Sequence, residues 1–145
     1  MQRSQILVIS VLVASVLVAS TFALFTIQKN IQGAGSIKGV GLGVYWDPQC
    51  KNATSSIAFG LLEPGSYKDF TLYLRNEGNT DLTLNMTTKN WNPTEAANYM
   101  SLTWNREAQQ VSPDQVISFV ITLSVSSNIQ DINSFSLDIT ISGTG

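Results

Sequence analysis

Apolar and polar residues alternate one by one along most of this chain, and that period of two constrains its fold more than any other feature. Successive side chains of an extended strand point to opposite faces, so the alternation marks strands with one buried and one wet side. Val40, Leu42, Val44 and Trp46 point one way, with Gly39, Gly41, Gly43 and Tyr45 opposite. Ile57 and Phe59 make a short strand ending at Gly60, and Glu63-Pro64-Gly65 follows as a turn. In residues 68–75, Phe70, Leu72 and Leu74 face inward. Asn76-Glu77-Gly78-Asn79-Thr80 then offers the Gly and Asn a tight reversal needs, so this run and Leu82, Leu84 and Met86 read as one hairpin. Residues 93–100 read as one or two helical turns behind Pro93, and Leu102 and Trp104 open another strand. The longest alternation runs through Ile117, Phe119, Ile121, Leu123 and Val125, and the last through Phe135, Leu137, Ile139 and Ile141.

About seven strands in roughly 105 residues, with turns every 8–12, predict an all-β fold. The expected architecture is a single immunoglobulin-like or jelly-roll-like antiparallel β-sandwich over residues 36–145, preceded by an N-terminal hydrophobic helix. A chain of 145 residues has room for one such domain. Charged residues are only 12% of it, the net charge is -2, and there is no His. Without imidazole, Ser-His-Asp and Cys-His catalysis, His-containing zinc sites and His-based pH switching are excluded. Scattered charge with a slight negative balance argues against nucleic acid as a partner. The acids are dispersed over turns and wet faces, so no pair stands out as general acid and base. The chain reads as a non-enzyme, and no cofactor or metal is expected.

Residues 6–27 carry no charge. As a helix they would reach about 33 Å, enough for a hydrocarbon core of about 30 Å. Arg3 and the N-terminal amine supply the positive charge that stays on the cytoplasmic side, so the rest of the chain is expected outside the cell or on its surface. Three readings of residues 1–23 stay open. They are a secretory signal peptide cut near Thr21-Phe22-Ala23, an uncut membrane anchor, or a pilin-type leader cut after Ser4 that keeps its apolar helix.

Residues 24–35 form the next unit. Leu24 opens a stretch in which Phe25, Ile27 and Ile31 share one face, interrupted by Lys29, with Thr26, Gln28 and Asn30 opposite. Gly33 and Gly35 read as a hinge that lets this strand swing away from the domain. A free N-terminal strand can complete the sheet of a neighbouring copy, and such a contact, repeated head to tail, builds a filament. The competing reading is that the strand pairs within its own sheet or spaces the domain from the membrane.

Asn52-Ala53-Thr54 and Asn85-Met86-Thr87 are N-glycosylation sequons, with Asn85 on the wet side of its strand. Cys50 has no internal disulfide partner and reads as a buried small thiol or an intermolecular link. Asp47, Glu77, Asn79 and Asp81 lie near turns, where calcium ligands gather, but turn chemistry accounts for them without a metal. Among the tryptophans, Trp46 and Trp104 fit the inward register, while Trp91 is the exposed one.

Several features occur in a recurring order. The apolar leader ends in Thr21-Phe22-Ala23-Leu24-Phe25-Thr26, and residues 37–47 follow. The turn Leu62-Glu63-Pro64-Gly65 precedes Phe70-Thr71-Leu72-Tyr73-Leu74-Arg75-Asn76-Glu77-Gly78-Asn79. In this order the chain resembles the TasA/camelysin family of secreted β-sandwich fibre proteins and the related bundling-pilus subunits of archaea. The resemblance implies cleavage by signal peptidase, an N-terminal donor strand and self-association into an extracellular homopolymer. The metalloprotease activity ascribed to some members is not carried over, because this chain has no His. The leading expectation is therefore a filament or pilus subunit that meets the membrane at least during export and stays anchored there if the leader is uncut. Its rivals are a membrane-anchored cell-surface binding module and a type IV pilin-like subunit.

Overall fold

The computed structural model describes residues 29–145. The leader of residues 1–23 and the candidate donor residues Leu24, Phe25 and Ile27 lie outside them. Nine strands follow one another: β1 (Ile31–Val40), β2 (Leu42–Tyr45), β3 (Ser56–Leu62), β4 (Tyr67–Asn76), β5 (Leu82–Asn92), β6 (Met100–Trp104), β7 (Gln110–Val111), β8 (Val116–Val125) and β9 (Ser134–Thr144). They form two sheets, ordered β3-β1-β9-β5-β7 and β2-β4-β8-β6. The inward side chains of both sheets meet in one core that includes Phe59, Leu72, Leu84, Phe119, Leu137 and Ile141. The alternation thus delivers what it promised, an all-β chain of two packed sheets.

Three expectations are corrected. First, the runs on either side of Asn76-Glu77-Gly78-Asn79-Thr80 are not a hairpin, because β4 lies in the second sheet and β5 in the first. The Asn76 side chain is fully buried and fixes the arch between them. Its amide donates to Thr80 O at 2.8 Å and Val111 O at 2.9 Å, and its Oδ1 accepts from Gly78 N at 2.9 Å. A local turn would have left this amide wet; the arch uses it to satisfy backbone groups of its own loop and of β7.

Second, the sandwich is not purely antiparallel. β1 pairs antiparallel with β3 but parallel with β9, from Gln32↔Ser134 to Val40↔Ser142. Every other strand pairing is antiparallel.

Third, Gly33 and Gly35 are not a hinge. Both are buried in the middle of β1, so the domain begins at Ile31 rather than at residue 36. A Cβ on Gly33 would lie 2.1 Å from Phe135 Cε1, and one on Gly35 would lie 3.1 Å from Phe59 Cε2. The glycines are there to admit aromatic rings. Phe135 stacks between Phe59 and Trp91, with centroids 5.9 and 6.1 Å away, and its ring occupies the space beneath Gly33. The bend that passes the chain from the first sheet to the second is at Gly41 instead, with φ of +76°.

Candidate assembly surface

Ile31, assigned from sequence to a strand that leaves the domain, is fully buried at the start of β1 and pairs with Leu62. Both flanks of β1 are occupied, by β3 and β9. The neighbours stop where β1 starts: Leu62 is the last residue of β3, and β9 begins at Ser134 beside Gln32. An in-line continuation of β1 towards the N-terminus would therefore leave the sheet with no partner on either side.

The sheet margins differ in how they are closed. The β3 edge is kinked by a bulge at Phe59, where Gly60 adopts φ of +71° and Lys68 Nζ donates to Phe59 O at 2.9 Å. A bulge plus a lysine on the edge is a common defence against strand addition. The β2 edge is covered by the loop returning from Asp47, with Trp46 N donating to Asn52 O and Thr54 N to Val44 O. That loop is set by the Asp47 carboxylate, which accepts from the backbone N–H groups of Gln49, Lys51 and Asn52. Desolvation pushes the Asp47 carboxyl up, but the N–H groups of Asn52, Lys51 and Gln49 outweigh it and hold the group below the ordinary value. Asp47 is thus engaged in turn chemistry. Among the described residues, no three His, Cys, Asp or Glu side chains come together as a metal site.

On the opposite side, β7 covers β5 only at Leu82 and Thr83. Leu84 is bonded to Gln109 and Ala108 of the incoming loop, and the Met86 N–H is taken by Glu107 Oε2 at 3.3 Å. Among the described residues, no strand pairs with the rest of that edge, and β6 is paired with β8 alone.

The aromatic residues also sort differently from the alternation rule. Trp46 lies past the end of β2 and is 37% exposed, whereas Trp91 is half-buried against Phe135. Trp104 packs edge-on to Phe119 at 5.8 Å, and its indole N–H reaches Glu107 Oε2 at 2.7 Å. No short-range signal distinguishes Trp46 from Trp91, because their burial is decided by where each strand stops.

Of the sequon residues, Asn52 is exposed in the loop beside β2, and Asn85 is exposed on β5 opposite Ser142 of β9. The Thr54 hydroxyl donates to Ser56 O at 2.8 Å. Cys50 is half-buried with φ of 55°, and burial pushes its thiol above the ordinary value. Tyr45 donates its hydroxyl to Glu77, and this bond is the main cause of its raised pKa.

A comparison with protein-family models finds none that matches this chain, and a search of curated proteins finds no match either.

Proposed function

We propose that this chain is a structural subunit of an extracellular filament, with an immunoglobulin-like or jelly-roll-like sandwich that accepts the N-terminal strand of a neighbouring copy. One observation carries the reading. The alternating stretch that holds Phe25 and Ile27 runs directly into β1, yet β1 reaches the end of its own sheet at Ile31, where both neighbouring strands stop. A strand with an apolar face and no in-line place in its own sheet is suited to a second copy's sheet. Ile31 is already buried at home, so the donated part is limited to residues 24–30. A head-to-tail contact of this kind does not close, and it propagates. The resemblance to secreted fibre proteins points the same way. Export, the fibre state and glycans on Asn52 or Asn85 belong to this proposal.

The test is the mature N-terminus, read by intact mass and N-terminal sequencing of protein taken from the native cell surface, with electron microscopy of the same material. A start between Thr21 and Phe25 together with fibres is the expected result. Retention of Met1 without fibres overturns the reading in favour of an anchored module, and a start at Gln5 supports the pilin-like alternative.

A further inference from the structure

The margin formed by β5 and β6 is the least finished part of the sandwich. Among the described residues, partly buried apolar side chains packed on the core concentrate there: Met86 and Trp91 from β5, Tyr99 beside it, and Leu102 and Trp104 from β6, with Phe70 and Ile117 elsewhere. Among the described residues the backbone edge of β5 is open beyond Leu84, and its Met86 N–H is held by a single 3.3 Å bond to the Glu107 carboxylate. The opening is bounded at one end by the 3-10 turn Thr94–Asn98, and at the other by the loop that brings Ala108 and Gln109 to Leu84.

We infer that this margin is the seat of the donated strand, and that residues 25–29 of a second copy add to the first sheet antiparallel to β5. The inference rests on the filament reading above and assigns its acceptor. Residues 86–89 of β5 offer about 14 Å of open edge at about 3.4 Å per residue, up to the irregularity at Asn90, whose φ is +53°. Along an antiparallel edge, alternate residues direct their N–H and C=O groups outward. Leu84 and Met86 do so here, and Thr88 follows in phase. Setting Ile27 opposite Thr88 places Lys29 opposite Met86, within reach of the Glu107 carboxylate. It places Phe25 at the Trp91 end of the opening. The one charge on the apolar face of the donor then meets the Glu107 carboxylate, which already reaches the Met86 N–H.

The strand cannot come from the same chain. Met86 is level with Ile141, and Ile141 with Gly39. A Lys29 seated at Met86 would lie eight residues of strand, about 26 Å, from its own Ile31. Two residues of extended chain span about 7 Å. The donor must therefore be another copy.

The test uses the full-length chain produced in its native host, with Cys50→Ser to remove the natural thiol. Thr26→Cys paired with Lys89→Cys brings directly opposed residues together on the outer face, where Cβ atoms lie about 4.5–5.5 Å apart. A ladder of intermolecular disulfides on a non-reducing gel is expected. A control pairs Thr26→Cys with Ala58→Cys on the β3 edge and should give none. In a second pair of variants, Glu107→Lys weakens assembly at least tenfold, and adding Lys29→Glu restores it. Fibres that form without the Lys89 ladder, or with an Ala58 ladder, overturn the assigned seat while leaving the filament reading intact. Chains that stay monomeric without any ladder overturn both.

Discussion

β1 and β8 are both ten-residue strands with a neighbour on each side, and they are held in different ways. β8 brings its own core: Phe119, Ile121, Leu123 and Val125 are buried, with antiparallel partners β4 and β6 on its flanks. β1 brings Ile31 and Ile37 with Gly33 and Gly35 between them, so half of its inner face is backbone. The rings of Phe135 and Phe59 fill that space from the other side of the layer. One flank of β1 is parallel, a pairing slightly less stable per residue. The contrast is between a strand that defines its surroundings and a strand whose place is defined for it. Under the proposed filament, the second kind is the strand from which the donated segment departs.

The strongest test of the contrast is to remove a side chain from β8. Phe119→Ala empties a fully buried site under Trp104, and it should cost about 3–5 kcal/mol in urea unfolding. A loss below about 1 kcal/mol would mean that β8 does not carry the core as described.

For β1 the damaging change is an addition. Gly33→Ala drives a methyl into the Phe135 ring, which is itself held between Phe59 and Trp91, and should cost about 1–3 kcal/mol. In a Phe135→Leu background the same substitution should cost at least about 0.5 kcal/mol less, because the two changes share one space. Strict additivity in that cycle would show that Gly33 is there for some other reason.

Gly35→Ala sharpens the same point. Its Cβ would meet Phe59 and Ile139 at 3.1–3.4 Å, contacts that need only a few tenths of an ångström of yielding. Restricting the unfolded chain offsets part of that cost, so stability should stay within about 1 kcal/mol of the parent. A loss as large as that of Gly33→Ala would erase the distinction between the two glycines.

This pair of glycines also shows what a sequence of this kind discloses. Periodicity identified most of the strands and the inward residues of β4, β8 and β9, because burial of alternate side chains is a local property of each strand. Sheet membership is not local. The run Asn76-Glu77-Gly78-Asn79-Thr80 has the composition of a hairpin turn, and only the buried acceptors Thr80 O and Val111 O make it an arch. Gly33 and Gly35 have the composition of a hinge, and only Phe135, about a hundred positions later, turns them into a socket. The apolar pattern of Phe25 and Ile27 was visible from the start. The open β5 margin was not, because an edge is defined by the strands that fail to cover it.

The smallest effect concerns how β1 is fastened on its wet side. Ser36 of β1 donates to Asp138 Oδ1 at 2.5 Å and Asn90 donates to Asp138 Oδ2 at 2.7 Å, so one carboxylate on β9 ties together three strands. On β8 the corresponding link is a single bond, Thr122 to Asp69 at 2.6 Å. The Ser36 hydroxyl first, and the Asn90 amide second, hold the Asp138 carboxyl below its ordinary 3.8 against a small opposing effect of desolvation. A carboxyl with a lowered folded pKa contributes stability above its unfolded value, and that contribution disappears as pH falls through the folded value. Hydrogen exchange of the β1 amides should therefore quicken relative to β8 as pH drops below about 3.8, once the intrinsic pH dependence of exchange is removed. Asp138→Asn should abolish that acid-dependent difference while changing the neutral-pH melting temperature little. Asp47, whose carboxyl is also held low, should leave the β1–β8 difference unchanged when replaced by Asn, because it fastens the loop beside β2 and touches neither strand. Equal acid response of the two strands in the parent protein would mean that the Asp138 link does not hold β1, leaving the aromatic socket as its main attachment.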